Sequence, residues 1–345
     1  MVNMKKILIL VAAMAFLSAA QLPAQPGAPR GDRRMKVIVD NDLGGDPDGL
    51  FALAHQVLCE GVNLRGIVGS TLGGPHAFGA QPGQDQGVVS AKAAEDLLEA
   101  MGLAGKFKVA PGASGIMTDP SVPLQAEGIQ LIIDEARACT PERPLFVCVG
   151  GALTDIASAL LLAPEIAPNM IVVWIGGQEY PFGHPKPWGG IDEREYNLRL
   201  DIPSVRTVFN QSDVRIWQIP RDAYRQCLYS FSSVDVHIRP LGKMGESLSE
   251  SLGRWRRMNP GEVYVMGDSP LVLLSSLQSF FEPDTASSDF VETAAPYITE
   301  EGLYDFTKPG RTIRVYTRID TALMFKDFED KLKAHALLTG LRTVK

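Results

Sequence analysis

Apolar residues along this chain fall into two alternating patterns. Short runs rich in consecutive Val, Ile and Leu occur at 35–39, 63–69, 106–110, 145–150, 170–175 and 214–219. Between them lie stretches in which apolar residues recur every three or four positions. These are 48–59 (Leu50, Leu53, Ala54 and Val57 on one face), 87–101, 125–138, 155–162 and the shorter 204–209. The first pattern marks strands buried on both faces, the second helices with one buried face. Their alternation predicts an α/β fold: an open, mostly parallel central sheet with helices on both faces. The last third breaks the rhythm. There, 247–258, 269–279 and 325–338 predict helices, and "AAPYIT" (294–299) and "RTIRVYTR" (311–318) predict late strands. Two long Gly/Pro-rich segments dotted with aromatics, 73–87 and 178–190, read as binding loops or lids.

The first residues do not fit this pattern. Lys5 and Lys6 precede the apolar stretch "ILILVAAMAFLSAA", which ends in small residues. We read residues 1–24 as a signal peptide cleaved after Ala20 or Ala24, 25–34 as a flexible linker and 35–345 as one domain. The expected location is periplasmic or secreted, with no stable membrane association after cleavage. A hydrophobic content of 45% is ample for a core. The formal charge of −7 becomes −7 − 2 = −9 without the two signal lysines. Such an acidic protein repels phosphates, which argues against nucleic acid and suits a small neutral substrate or a cation. Cys59, Cys139, Cys148 and Cys227 sit in apolar contexts and are expected as free buried thiols. No CxxC or Cys/His spacing suggests zinc.

The first strand ends in "VIVDNDLGGDPDG" (37–49), which places Asp40, Asp42, Asp46 and Asp48 within nine positions. Like charges this close raise each other's pKa unless a cation sits among them. Oxygen donors at this density suit Ca²⁺ or Mg²⁺. An EF-hand loop fails on register, because Gly44 and Phe51 stand at the fifth and twelfth positions. A haloacid-dehalogenase-type phosphatase also carries Asp-x-Asp after its first strand. However, Gly44 stands where that family needs Thr or Val, and "GDS" (267–269) is followed by "PLVLL" without a further Asp.

In an open parallel sheet, ligands bind beyond the carboxyl ends of the strands. "GGALTD" (150–155) and "IGGQEY" (175–180) lie at such ends, as does the aspartate cluster. Four segments together resemble the nucleoside hydrolases, the calcium-dependent N-ribohydrolase family. Asp40 to Leu50 resembles the longer form of its N-terminal Asp-rich fingerprint. "VGGALTDIASAL" resembles its Gly-Pro-Leu-Thr-Asn-x-Ala, "EYNLRLDIPSVRTVF" its Glu-Phe-Asn segment, and "VMGDSPLVLL" its late metal segment. They fall in family order and span residues 35 to 280.

The resemblance implies roles. Asp42 would hold Ca²⁺ and take the proton from the attacking water. Asp268 and the backbone carbonyl of Thr154 would join it on the metal. Gly49 stands where the family has a second acid, so Asp46 or Asp48 would supply the missing oxygens, with Asp48 also a candidate for the sugar. Either could instead cap the following helix, and Thr154 could also be an ordinary helix N-cap. Glu195 and Asn197, two residues apart on an extended segment, would bind ribose hydroxyls. Gly267 replaces the His that protonates the leaving base in some branches, while Gly73 and Gly189 fall near two expected Asn positions. His184 and Trp188 are therefore the candidates for the leaving group. The implied function is calcium-dependent hydrolysis of N-glycosidic bonds in ribonucleosides or related ribosides. The alternative is an exported sugar- or nucleoside-binding protein on the same scaffold without turnover. Neither the base, the sugar nor a homo-oligomer is specified.

Overall fold

In the computed structural model, which describes residues 32, 34–74, 77–183, 194–258, 261–277 and 287–340, all six apolar runs up to residue 219 become strands. They are β1 (Met35–Asn41), β2 (Val62–Gly69), β3 (Val109–Pro111), β4 (Leu145–Val149), β5 (Met170–Ile175) and β6 (Arg215–Ile219). Every residue of β4 and β5 is buried. That explains why the runs are continuously apolar rather than alternating. Leu145, Val147 and Val149 pack on one face with α3 (Glu127–Arg137), α4 (Thr154–Leu162) and α6 (Ile202–Gln211). Phe146 and Cys148 turn to the other face, against α1 (Asp48–Gln56) and α8 (Ser269–Ser276). The period-2 alternation of a strand thus feeds two separate cores.

α2 (Gln86–Ala100), α5 (Tyr196–Leu200), α7 (Gly242–Ser251) and α9 (Thr321–Thr339) complete the named helices. α2 begins with the Asp85 side chain accepting from Val88 N at 3.1 Å. Short pairs β7 (Leu228–Ser230) with β8 (Val263–Val265) and β10 (Tyr297–Ile298) with β11 (Tyr304–Asp305) lie outside the main sheet. The main sheet ends in β12 (Thr312–Arg318), parallel to β6, and β9 (Asp289–Ala294), antiparallel to β12.

Three late expectations need correction. The helix expected over 247–258 is two pieces, α7 and Gly253–Met258, each on its own side of Leu252. Of "AAPYIT", Ala294 ends β9 and Tyr297–Ile298 forms β10, so the segment is not one strand. β9 was not anticipated: its residues are at most half-buried, so its sequence carries no core-facing run. All four cysteines are buried thiols. Among the described residues no helix is long and apolar enough to cross a membrane.

The strand order is β3-β2-β1-β4-β5-β6-β12-β9. The chain builds outward from β1 in one direction and from β4 in the other. The crevice between the carboxyl ends of β1 and β4 is therefore the switch point at which doubly wound sheets bind ligands.

Candidate functional site

The aspartate cluster lies at that switch point. Asp40 is register-paired with Val149 of β4, and Gly150 N donates to Asp40 O at 3.0 Å. Asn41, the last residue of β1, donates from Nδ2 to Asp268 Oδ2 at 2.9 Å. The backbone N–H of Asp268 donates in turn to Asp48 Oδ2 at 3.1 Å. Asp42 lies against Gly151, where a Cβ would stand 3.1 Å from its Cγ. Two glycines make this convergence possible. A Cβ at Gly150 would stand 2.2 Å from Asn41 Nδ2 and 2.5 Å from Asp268 Oδ2. Thus residues 227 positions apart meet because one strand end carries no side chain.

Asp42, Asp48 and Asp268 are buried and Asp46 is half-buried. Burial raises the pKa of all four. For Asp42 the next causes are the charges of Asp46 and Asp268; for Asp48 they are Asp268 and Asp46; for Asp268 it is Asp46. The strongest charged neighbours of these carboxylates are thus other carboxylates. Asp48 Oδ1 and Asn41 Oδ1 are buried with no hydrogen-bond partner among the described residues. A concave, oxygen-only donor set that repels itself fits a hard divalent cation and fits little else. Behind it, Asp40 is raised well above its ordinary value by burial and by Asp155, and Asp155 itself is pushed up to about 6, chiefly by burial.

The expected sugar-binding pair arrives from β5. Glu195 is the N-cap of α5 and Asn197 lies inside that helix, so the extended segment anticipated there is a helix start. Both residues still face the same cavity. Glu195 Oε2 accepts from Gly177 N at 2.9 Å and Leu198 N at 3.0 Å, and Oε1 accepts from Tyr224 Oη at 2.9 Å. Asn197 Nδ2 donates to Ile175 O at 2.9 Å and Gly150 O at 3.2 Å. These bonds fix both side chains to the ends of β4 and β5 before any ligand arrives.

Asp46, Asp48, Asp268, Glu195 and Asn197 line one cavity of about 490 Å³. Thr154 begins α4 near the Gly150–Gly151 turn, but its hydroxyl donates to Asp201 Oδ2 at 2.6 Å rather than capping the helix. Asp48 does not cap its own helix either; its carboxylate holds the start of α8. His184, Trp188 and Gly189 lie outside the described residues. At Gly267, a Cβ would stand 3.1 Å from Asp48 Oδ2 and 3.4 Å from the Tyr224 ring. Tyr224 therefore occupies the space beside Gly267.

Sequence reasoning missed Tyr224 and the aromatic rim. Trp255 and Tyr264 line the cavity mouth with ring centroids 5.9 Å apart. Phe78, from the glycine-rich 73–87 segment, meets Trp255 edge-on at 4.7 Å and Tyr196 at 6.0 Å. Phe78 thus packs against two residues that line the cavity. Nothing local marks Trp255 or Tyr264; their roles come from the fold.

No family model matches the chain, and no curated protein matches it. Solved structures do. A purine-preferring ribonucleoside hydrolase from Gardnerella vaginalis is 20% identical, with a TM-score of 0.65 over 88% of this chain and 99% of that one. A plant nucleoside hydrolase is 14% identical, with a TM-score of 0.64 over 87% and 99%. An effector protein is 15% identical, with a TM-score of 0.54 over 90% and 94%. The chain therefore has the nucleoside hydrolase fold.

Proposed function

We propose that the chain is a calcium-dependent hydrolase of N-glycosidic bonds in ribonucleosides or related ribosides. One observation carries the proposal: acids from three distant segments, 46–48, 195 and 268, converge on a single cavity at the switch point of this fold. The similarity in fold to solved nucleoside hydrolases supports it. Asp42, Asp268, the Thr154 carbonyl and one or both of Asp46 and Asp48 would hold the ion. Bound there, Ca²⁺ would supply the charge that orients a water and two vicinal sugar hydroxyls.

The chain's own residues then do the following. Asp42, whose proton affinity burial and its neighbours raise, accepts the proton of the attacking water. Glu195, held by three donors, accepts from a sugar hydroxyl, and Asn197 fixes the sugar's position from β4 and β5. The surplus negative field of the cluster favours the positive charge that develops on the sugar ring as the bond to the base breaks. Trp255 and Tyr264 flank the place where the departing ring leaves. His184 is assigned the proton for that ring and Trp188 a stacking role. Export belongs to the same reading: the native protein should begin after Ala20 or Ala24 by mass spectrometry.

The second reading is a riboside-binding protein without turnover, favoured by Gly267, which offers no acid beside Asp268. A panel of nucleosides and an activated aryl riboside, assayed with Ca²⁺ and after chelation, separates the two. Hydrolysis predicts Ca²⁺-dependent release of free ribose. Calcium-dependent binding with no ribose released from any member would establish the binder instead.

A further inference from the structure

The far end of α1 carries a second cluster that the acid site does not use. His55 lies in the last turn of α1, Cys59 follows four residues later, and Asp327 faces them from α9. One ligand atom from each, imidazole nitrogen, thiol sulfur and carboxylate oxygen, lies within 4.8 Å of the other two. His55 and Cys59 are buried, at 1% and 7% exposure. His55 Nε2 is 2.7 Å from Asp327 Oδ2, and the Phe328 ring holds the imidazole at a centroid distance of 5.6 Å. Cys59 stands three residues beyond the end of α1, where its thiol donates to His55 O at 3.4 Å and so stays beside the imidazole.

We propose that His55, Cys59 and Asp327 form a second metal site, for Zn²⁺ or a similar borderline-soft divalent ion, that ties α1 to α9. The donor set of nitrogen, sulfur and oxygen distinguishes it from the oxygen-only cluster. The cluster already pairs with a positive charge, because the Lys331 ammonium contacts Asp327 Oδ2. Lys331 is a quarter exposed on a flexible stem, so it can withdraw to solvent. A metal ion in its place keeps Asp327 paired and also engages the imidazole and the sulfur. On binding, the Cys59 thiol gives its proton to the buffer and the sulfur pair goes to the metal, one proton released per ion. Asp48 is the first residue of α1. The site thus anchors the opposite end of the helix that carries one acid of the main cavity.

Cobalt is the probe, because a thiolate ligand gives Co²⁺ a near-ultraviolet charge-transfer band that oxygen ligands do not. Ca²⁺-saturated protein titrated with Co²⁺ should develop this band at one equivalent, and Zn²⁺ should abolish it by displacement. Cys59→Ser should lose the band. Asp327→Asn should bind roughly tenfold or more weakly, and it serves as the deciding variant should Cys59→Ser fail to fold. No band in the wild type, a band that survives Cys59→Ser, or unchanged affinity in Asp327→Asn would each overturn the proposal. None of these outcomes bears on the oxygen-only cluster, whose ligands are separate.

Discussion

Two buried groups of charges lie at strand ends of this sheet, and they are built in opposite ways. Beyond β5 and β6, Glu179 and Arg221 form a fork of bonds at 2.6 and 2.7 Å, with side chains only 3% and 4% exposed. Burial pushes Glu179 up, but the bond and charge of Arg221 bring it below its ordinary value. Beyond β1 and β4, Asp42, Asp46, Asp48 and Asp268 are all raised by burial and crowd one another. Where this protein needs a permanent ion pair, it builds both halves. At the switch point it builds one half, which is what a site for an exchangeable cation requires.

The largest expected break of this contrast is Asp42→Asn. Loss of the proposed general base should lower kcat on any riboside the protein hydrolyses by about 10²–10⁴-fold. Steady-state kinetics in saturating Ca²⁺ would check this, and a loss under tenfold would reassign the base. At the complete pair, Arg221→Gln takes from the buried Glu179 carboxylate its fork of two charged bonds. It should cost about 3–5 kcal/mol in denaturant unfolding, while replacing both residues by apolar side chains of similar volume should cost far less. Equal costs for the single and double variants would mean the pair is not self-sufficient.

Smaller effects sharpen the same contrast. Tyr224→Phe removes one of three donors to Glu195. It should raise KM by roughly tenfold, about 1.5 kcal/mol, at the low end for a bond to a charged group. The smallest effect concerns pH without metal. Carboxylates whose folded pKa is raised bind more protons folded than unfolded, so their contribution to stability falls as pH rises above about 4, the unfolded Asp value. In chelator at pH 7, Asp268→Asn should therefore raise Tm by about 2–4 °C, on the order of 1 kcal/mol. That gain should vanish near pH 4. A variant less stable than wild type at both pH values would show that the repulsion is not there.

The contrast was only half legible in the sequence. The acid cluster announced itself because four charges directly follow an apolar run, and β4 and β5 were readable because burial on both faces forces continuous Val and Ile. Asp268, Glu195 and Asn197 are single polar residues in ordinary surroundings; only their order relative to a known family singled them out. Tyr224, Trp255 and Tyr264 could not be found that way. Each is one aromatic among many; Tyr224, for example, meets Glu195 across 29 residues. β9 escaped because an edge strand with half-exposed faces carries no core-facing pattern. The Glu179–Arg221 pair joins a strand end to a distant turn, and no local spacing encodes it.

Calcium titration calorimetry tests the central claim most directly. Wild-type protein should bind Ca²⁺ at the β1/β4 cluster. Asp42→Asn and Asp268→Asn, which keep side-chain size and remove one anionic donor each, should weaken that binding by roughly tenfold or more, since ligand charge sets calcium affinity. Arg221→Gln, at the complete pair, should leave it unchanged. Calcium affinity that is the same in the wild type, Asp42→Asn and Asp268→Asn would contradict the account.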